Sequence, residues 1–295
     1  MKEMLSQLTG WHDCDIDTYR LAWEKFGGSL CTHPDIIAFM NAKNHLNLKF
    51  KCRLKNGEIS ASLYHYNNQL SLVDKHFPFV FDDILLPVSD EEKFFLPYRN
   101  KRLSPLIKDN IRNALYCNKL KHKISYIKTQ FSNKTIKKRN GELNRFLQNG
   151  GAFRSVDTFS DQEICDIYIK LFNARWQHRL RCWPEENLME VISTFRHLLF
   201  GSVLLFNDEP CAFDLIFKAE CTQWIYFDDI NGGYDAELYS QGAGRILLWQ
   251  NINDAQALCS KQRKTMIFSL GAFLKGWDYK YQWCDILPSG RSIGC

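Results

Sequence analysis

The chain has 295 residues, 45% hydrophobic and 24% charged, which is enough apolar material for one large or two ordinary domains. No apolar run approaches the roughly 20 residues of a membrane span, and Met1-Lys2-Glu3-Met4-Leu5 lacks the apolar centre of a signal peptide. Eleven cysteines occur singly with no Cys-x-x-Cys pair, and His12 and Cys14 have no partner pair, so reduced thiols in a cytosolic protein are expected, with neither a disulfide framework nor a metal site.

The net charge of +5 is unevenly spread. Between Arg99 and Arg145 stand 14 Lys/Arg against two acids, a local +12 that leaves −7 for the rest. Such asymmetry suits either a polyanion contact or a solvated basic face beside a linker.

In chain order, Ile16, Tyr19, Trp23 and Phe26 recur at helical spacing and Gly27-Gly28 ends the run. Thr32-His33-Pro34 starts a second helix to about Met40. Leu48–Arg53 and Ile59–Tyr64 read as a hairpin turning at Asn56-Gly57. Phe77–Phe81 and Phe94–Tyr98 are apolar pieces around a loop rich in Asp and Pro. Ser132 opens a basic helix carrying Lys134, Lys137, Lys138 and Arg139, the candidate polyanion contacts, with Leu143, Phe146 and Leu147 on its packed side.

The second half repeats the order helix, helix, hairpin. Ser160-Asp161-Gln162-Glu163 is a capping box, a further helix fits from Glu185 to about Leu199, and Val203–Phe206 turns at Asn207-Asp208 to return through Phe217. Trp23 and Trp176 lie 153 residues apart, and Asn56 and Asn207 lie 151 apart, the offset a tandem duplication leaves. Domains of residues 1–130 and 131–295 are expected, only the second equipped for chemistry.

Trp224–Phe227 reads as a buried strand leaving through the turn-rich Asp228-Asp229-Ile230-Asn231-Gly232-Gly233. Tyr239-Ser240-Gln241-Gly242-Ala243-Gly244-Arg245 then enters a helix through Ile246, Trp249 and Ile252. A glycine pair at a helix start admits a phosphate to free N–H groups, though it is equally a plain tight turn. Thr265–Gly271 and Trp277–Trp283 read as the last two strands.

The order strand, glycine loop, helix, strand resembles the acyl-CoA N-acyltransferase (GNAT) fold and its Fem-like branch, with Ser240, Gly242, Leu247-Leu248-Trp249, Gly271 and Tyr279-Lys280 matching in sequence. The resemblance implies an α/β (α+β) fold of two tandem GNAT-like domains, each a mixed sheet flanked by helices. It implies acyl or aminoacyl transfer, with acyl-CoA or aminoacyl-tRNA as donor. The family loop is Gln/Arg-x-x-Gly-x-Gly/Ala; here Tyr239 stands at its first position. Trp11, Trp23–Ser29 and Thr32-His33-Pro34 resemble the opening motif of the Mig-14 family of enteric bacteria. That resemblance implies resistance to cationic antimicrobial peptides at the inner face of the inner membrane; the basic stretch Arg99–Arg145 adds anionic lipid as an expected partner and nucleic acid as a weaker one.

An N-acyltransferase needs a base for the amine proton and an acid for the leaving group. Asp228 and Asp229 fit the base or cap a turn; Asp214, mid-strand among apolar residues, is a second candidate, since a buried carboxylate needs a partner or a cleft. Tyr279 and Lys280 fit the acid and a phosphate contact, or a half-exposed strand. Tyr239, Gln241, Gly242, Ala243, Gly244 and Arg245 form the candidate cofactor loop. Arg175-Trp176-Gln177-His178-Arg179 either lines the same cleft or complements its helix dipole. The rival to catalysis is a member that keeps the fold and binds a polyanion as a membrane-associated factor or transcription regulator.

Overall fold

A computed structural model describes residues 9–72, 74–177 and 179–293; Met1–Leu5 and His178, both read above, lie outside them. The first half begins with β1 (His12–Cys14), then α1 (Ile16–Phe26) and α2 (Pro34–Asn44). Asp15 caps α1 by accepting from the Thr18 amide, and Gly27 ends it at φ 80°. Pro34 sits in the first turn of α2 as expected, but the helix runs on to Asn44. The hairpin forms between β2 (Lys49–Lys55) and β3 (Glu58–His65), with Asn56 and Gly57 at φ 56° and 83°, the left-handed pair a tight two-residue turn demands. Phe77–Phe81 and Phe94–Tyr98 are largely buried yet form irregular chain, the second tied by a Phe94–Ile111 bridge and by Asn113, whose side chain both accepts from and donates to the Leu96 backbone.

β4 (Ala114–Leu115) and β5 (Lys123–Ile127) precede α3 (Asn133–Gln148), which Ser132 caps. Then come β6 (Gly151–Ser155), α4 (Asp161–Trp176) and α5 (Glu185–Thr194). The capping box at Ser160 and Glu163 forms in both directions. The helix expected up to Leu199 stops at Thr194, and a single 3-10 turn, Arg196–Leu198, replaces its end. β7 (Leu199–Phe200), β8 (Ser202–Phe206) and β9 (Glu209–Glu220) follow, the hairpin turning at Asn207 and Asp208 with φ 50° and 66°.

The remaining elements are β10 (Trp224–Tyr234), α6 (Ala243–Gln262), β11 (Thr265–Ala272), the one-turn α7 (Lys280–Trp283), β12 (Cys284–Pro288) and β13 (Arg291–Ser292). Eight strands form one mixed sheet in the order β12-β5-β11-β10-β9-β8-β6, with β7 paired to β9. Thus β5, from the first 130 residues, sits between β12 and β11 of the large sheet. Alternation sorts β10: Tyr226 joins the core shared with the first half, while Ile225 and Phe227 pack with Trp249 and Ile252 of α6.

Two expectations need correction. Asp228–Gly233 is not an exit turn; β10 continues to Tyr234 through a bulge between Asp229 and Asn231. Its glycines are there because neighbours occupy the space of a side chain. A Cβ on Gly233 would lie 2.2 Å from the Leu171 carbonyl carbon of α4, and one on Gly232 would lie 1.9 Å from Asp214 Oδ1. Nor is Trp277–Trp283 a strand. Gly276 turns the chain at φ 92°, Trp277 and Lys280 amides bond three residues back, and the closing strand starts at Cys284.

Candidate functional site

β10 and β11 run parallel, and their pairing extends from Trp224–Thr265 to Asp228–Ser269. Both strands continue beyond that point, β10 bending away at its bulge, so the sheet splits open where Asp228 and Asp229 stand. The split is a cleft of about 220 Å³ lined by Asp82, Asp83, Asp228 and Asp229 together with Tyr226, Ser269, Gly271, Trp183 and Trp277. Among the described residues no three His, Cys, Asp or Glu side chains converge to hold a metal.

Asp83 is the residue that reading the sequence missed. It comes from the first half, 4% exposed, and its Oδ2 accepts from Tyr126 at 2.5 Å and Tyr226 at 2.8 Å. Its Oδ1 is buried and has no hydrogen-bond partner among the described residues, so it is open to a donor from a ligand or water. Burial pushes the Asp83 carboxyl up to about 6, against the pull of both tyrosine hydroxyls. Asp82 beside it pairs with Arg102 at 2.7 Å and accepts from the Ala272 amide at 3.4 Å, tying the loop to the end of β11. The only sequence signal was a carboxylate pair inside an apolar stretch, Phe81-Asp82-Asp83-Ile84.

Asp228 is buried and its carboxyl is raised, first by burial and then by the charges of Asp83 and Asp82. Asp229 is partly exposed; burial raises it to about 6 while Arg175 and Lys280 pull it down. Asp214 lies opposite Gly232 on β9, 8% exposed, and burial with the nearby Asp229 charge raises it well above the usual carboxylate range. It flanks the bulge without lining the cleft. Arg175, from the end of α4, donates to the Gly232 carbonyl at 2.7 Å and stacks over Tyr234, so it braces the bulge.

Lys280 is 1% exposed and donates to the carbonyls of Leu270 and Ala272, with its ammonium over the Trp277 ring. It therefore pins the end of β11, and burial lowers its ammonium to about 8 against the opposing charge of Asp229. Tyr279 is 46% exposed and, like Lys280, is not among the lining residues.

The glycine loop stands apart from the cleft lining. Gly242, at φ 88°, starts the 20-residue α6 with no side-chain cap, and the Arg245 amide turns back to the Gly242 carbonyl. Tyr239 is turned inward, its ring 5.0 Å from both Phe146 and Phe206. Gln241 and Arg245 are exposed, Ala243 is buried, and Gly244 has the Tyr234 ring 3.2 Å from where its Cβ would be. Arg245 shares Glu142 with Arg139, at 3.2 and 2.9 Å. Lys134, Lys137 and Lys138 are exposed on α3, whereas Arg139 is buried against Glu142 and the Trp283 ring.

By sequence, no curated protein matches the chain. By structure, FemX superposes with a TM-score of 0.59 at 7% identity, covering 97% of each chain. L-PGS from Bacillus licheniformis gives 0.53 at 14% identity, over 96% of this chain and 93% of that one. The C-terminal domain of a putative lysylphosphatidylglycerol synthetase from Agrobacterium fabrum gives 0.44 at 12%, over 65% and 66%. The fold, a large mixed sheet flanked by helices, is GNAT-like, as expected. No helix among the described residues is long and apolar enough to cross a membrane. The family model of Mig-14 matches residues 33–292, and the chain belongs to the Mig-14 family.

Proposed function

We propose that the chain is a GNAT-fold acyl- or aminoacyl-transferase whose amine-bearing substrate sits in the split between β10 and β11. The observation that carries this is the placement of Asp229 where the parallel pairing ends, in a cleft that Asp82, Asp83 and Asp228 also line. An ammonium group entering there meets the unpartnered Asp83 Oδ1 and neighbouring carboxylates. With its carboxyl at about 6, Asp229 is ionised at neutral pH and takes a proton from the ammonium, freeing the lone pair that attacks the acyl carbon; the second nitrogen proton leaves with the donor's thiol or hydroxyl as the acyl bond breaks. Asp228 and Asp83 hold the cation; Asp214 and Arg175 set the bulge and its charge. The α6 start, from Gln241 to Arg245, is the proposed seat of the donor phosphates, acyl-CoA or aminoacyl-tRNA, and Tyr279 the proposed acid. Membership of the Mig-14 family supports action at the inner face of the inner membrane in antimicrobial-peptide resistance.

Rescue of a deletion strain challenged with cationic peptides tests the reading. Asp229→Asn fails to rescue while keeping its melting temperature; full rescue would sink the catalytic role. A second reading, a polyanion-binding scaffold, rests on the exposed lysines of α3. Under that reading Lys134→Ala/Lys137→Ala/Lys138→Ala alone fails, and binding to anionic vesicles or nucleic acid is lost with it.

A further inference from the structure

A second, larger cavity of about 930 Å³ lies where residues 99–102, 115–122 and 291–293 meet. Arg99, Lys101, Arg102, His122 and Arg291 line it, and no Asp or Glu does. Arg102 is held by Asp82, but the side chains of Arg99, Lys101 and Arg291 make no hydrogen bond or ion pair among the described residues. Three like charges without counter-ions repel one another, so a bound anion relieves what the fold leaves uncompensated.

The backbone under these cations is firmly tied. Ser292 donates its amide to the Asn100 carbonyl at 2.9 Å, and its Oγ accepts from the Asn100 amide at 2.7 Å. Gly290 and Leu103 exchange amide hydrogen bonds at 2.7 and 3.1 Å, and Arg291 pairs with Leu115 in the β13–β4 ladder. The guanidinium groups are therefore presented by a preformed wall. The same cations act on a neighbouring side chain: burial lowers the His122 imidazole, and Arg102, Lys121 and Lys101 lower it further, with Asp82 alone opposing.

We infer that this cavity binds an organic phosphate, a phosphomonoester or phosphodiester of small-molecule size. Arg99 and Arg291 supply the planar forks that fit phosphate oxygens. The volume falls in the range of sites that enclose small molecules, about 300–1,000 Å³. Leu115, Leu120 and Ile293 give the substituent an apolar wall. The α3 lysines are not part of it. The Arg102–Asp82 pair is the partition between this cavity and the acidic cleft, since Arg102 lines one and Asp82 the other. A substrate phosphate and a substrate amine thus have adjoining seats of opposite sign. The site stands whether or not the transferase reading does.

The test titrates glycerol phosphate and inorganic phosphate into the full chain by calorimetry, and floats the protein with phosphatidylglycerol or phosphatidylcholine vesicles. Arg99→Ala/Arg291→Ala is the perturbation, because both residues are exposed and Arg102 is left to hold Asp82. Saturable glycerol phosphate binding weakens at least tenfold in that variant and is unchanged in Lys137→Ala/Lys138→Ala. Bound phosphate moves the His122 ring titration upward in wild type, by NMR, and Arg291→Glu abolishes that shift even if the double variant folds poorly. Flotation with phosphatidylglycerol that falls in the same variants assigns the phosphate to a lipid headgroup; flotation indifferent to them, with glycerol phosphate binding lost, assigns it to a soluble compound. No saturable binding and no variant-dependent flotation, equal weakening by the α3 variant, or competition by RNA alone would each overturn the inference.

Discussion

Replacing Gly233 by alanine should destabilise the protein although the change adds one methyl group. The built Cβ meets Leu171 C at 2.2 Å, Phe172 N at 2.3 Å and Leu171 O at 2.5 Å, all backbone of α4, so no flexible side chain can swing aside. Overpacking costs about 1–3 kcal/mol, and backbone-on-backbone contact places this case at the upper end. At roughly 2–4 °C per kcal/mol for chains of this size class, the melting temperature falls by roughly 6–12 °C. Gly141→Ala is the matched control: it lies within α3, with nothing within 4 Å of its Cβ position, and gains about 0.5–1 kcal/mol from helix propensity. Thermal unfolding of both variants by circular dichroism reads the opposite signs. Equal melting temperatures for wild type and Gly233→Ala would refute the claim that α4 fixes the bulged strand, and with it the geometry of the split.

Other outcomes follow from the same structure. Arg139→Ala loses the buried pair with Glu142 and should cost about 1–3 kcal/mol in a denaturant titration, whereas Lys137→Ala/Lys138→Ala leaves stability within about 0.5 kcal/mol. Asp83 titrates near 6 in the folded chain and lower when unfolded, so between about pH 4 and 6 the folded state binds more protons at this residue and its contribution to stability falls as pH rises. The stability of Asp83→Asn relative to wild type should therefore increase across that window, by at most about 1.4 kcal/mol per pH unit; a constant difference would contradict the buried carboxylate. Lys280→Met should loosen the end of β11, seen as faster hydrogen exchange of the β11 amides that face β5, while exchange in β2 and β3 stays unchanged.

Much of the fold was legible because the signals were local. Asn56-Gly57 and Asn207-Asp208 announce tight turns, Ser160 and Glu163 announce a helix start, and the apolar spacing of Ile246, Trp249 and Ile252 announces α6. What failed were positions where a distant neighbour decides. Gly232 and Gly233 read as a turn, yet they are strand glycines because Asp214 and α4 press against them. The aromatic run Trp277–Trp283 reads as a strand, yet it closes in a helical turn from which Lys280 reaches inward to the β11 carbonyls. For the candidate site, Asp228 and Asp229 were visible as carboxylates beside a buried strand. Asp83 was not, because the two tyrosines that hold it stand 43 and 143 residues away. The basic stretch divided in the same way: its lysines on α3 face outward, Arg139 folds in, and Arg99 to Arg102 line a cavity with Arg291 from the far end of the chain.

The central claim is that Asp229, at the split between β10 and β11, takes a proton during transfer to an amine. Its most direct test follows label from radiolabelled acyl-CoA and aminoacyl-tRNA into amine acceptors of a membrane extract, with purified wild type and Asp229→Asn, from pH 5 to 8. The account predicts label transfer from one of the two donors by wild type, with a rate that rises through about pH 6 as the Asp229 carboxyl ionises. It predicts a loss of at least a hundredfold in Asp229→Asn at an unchanged melting temperature. Wild type that moves label from neither donor, or Asp229→Asn that moves it as fast, would contradict it.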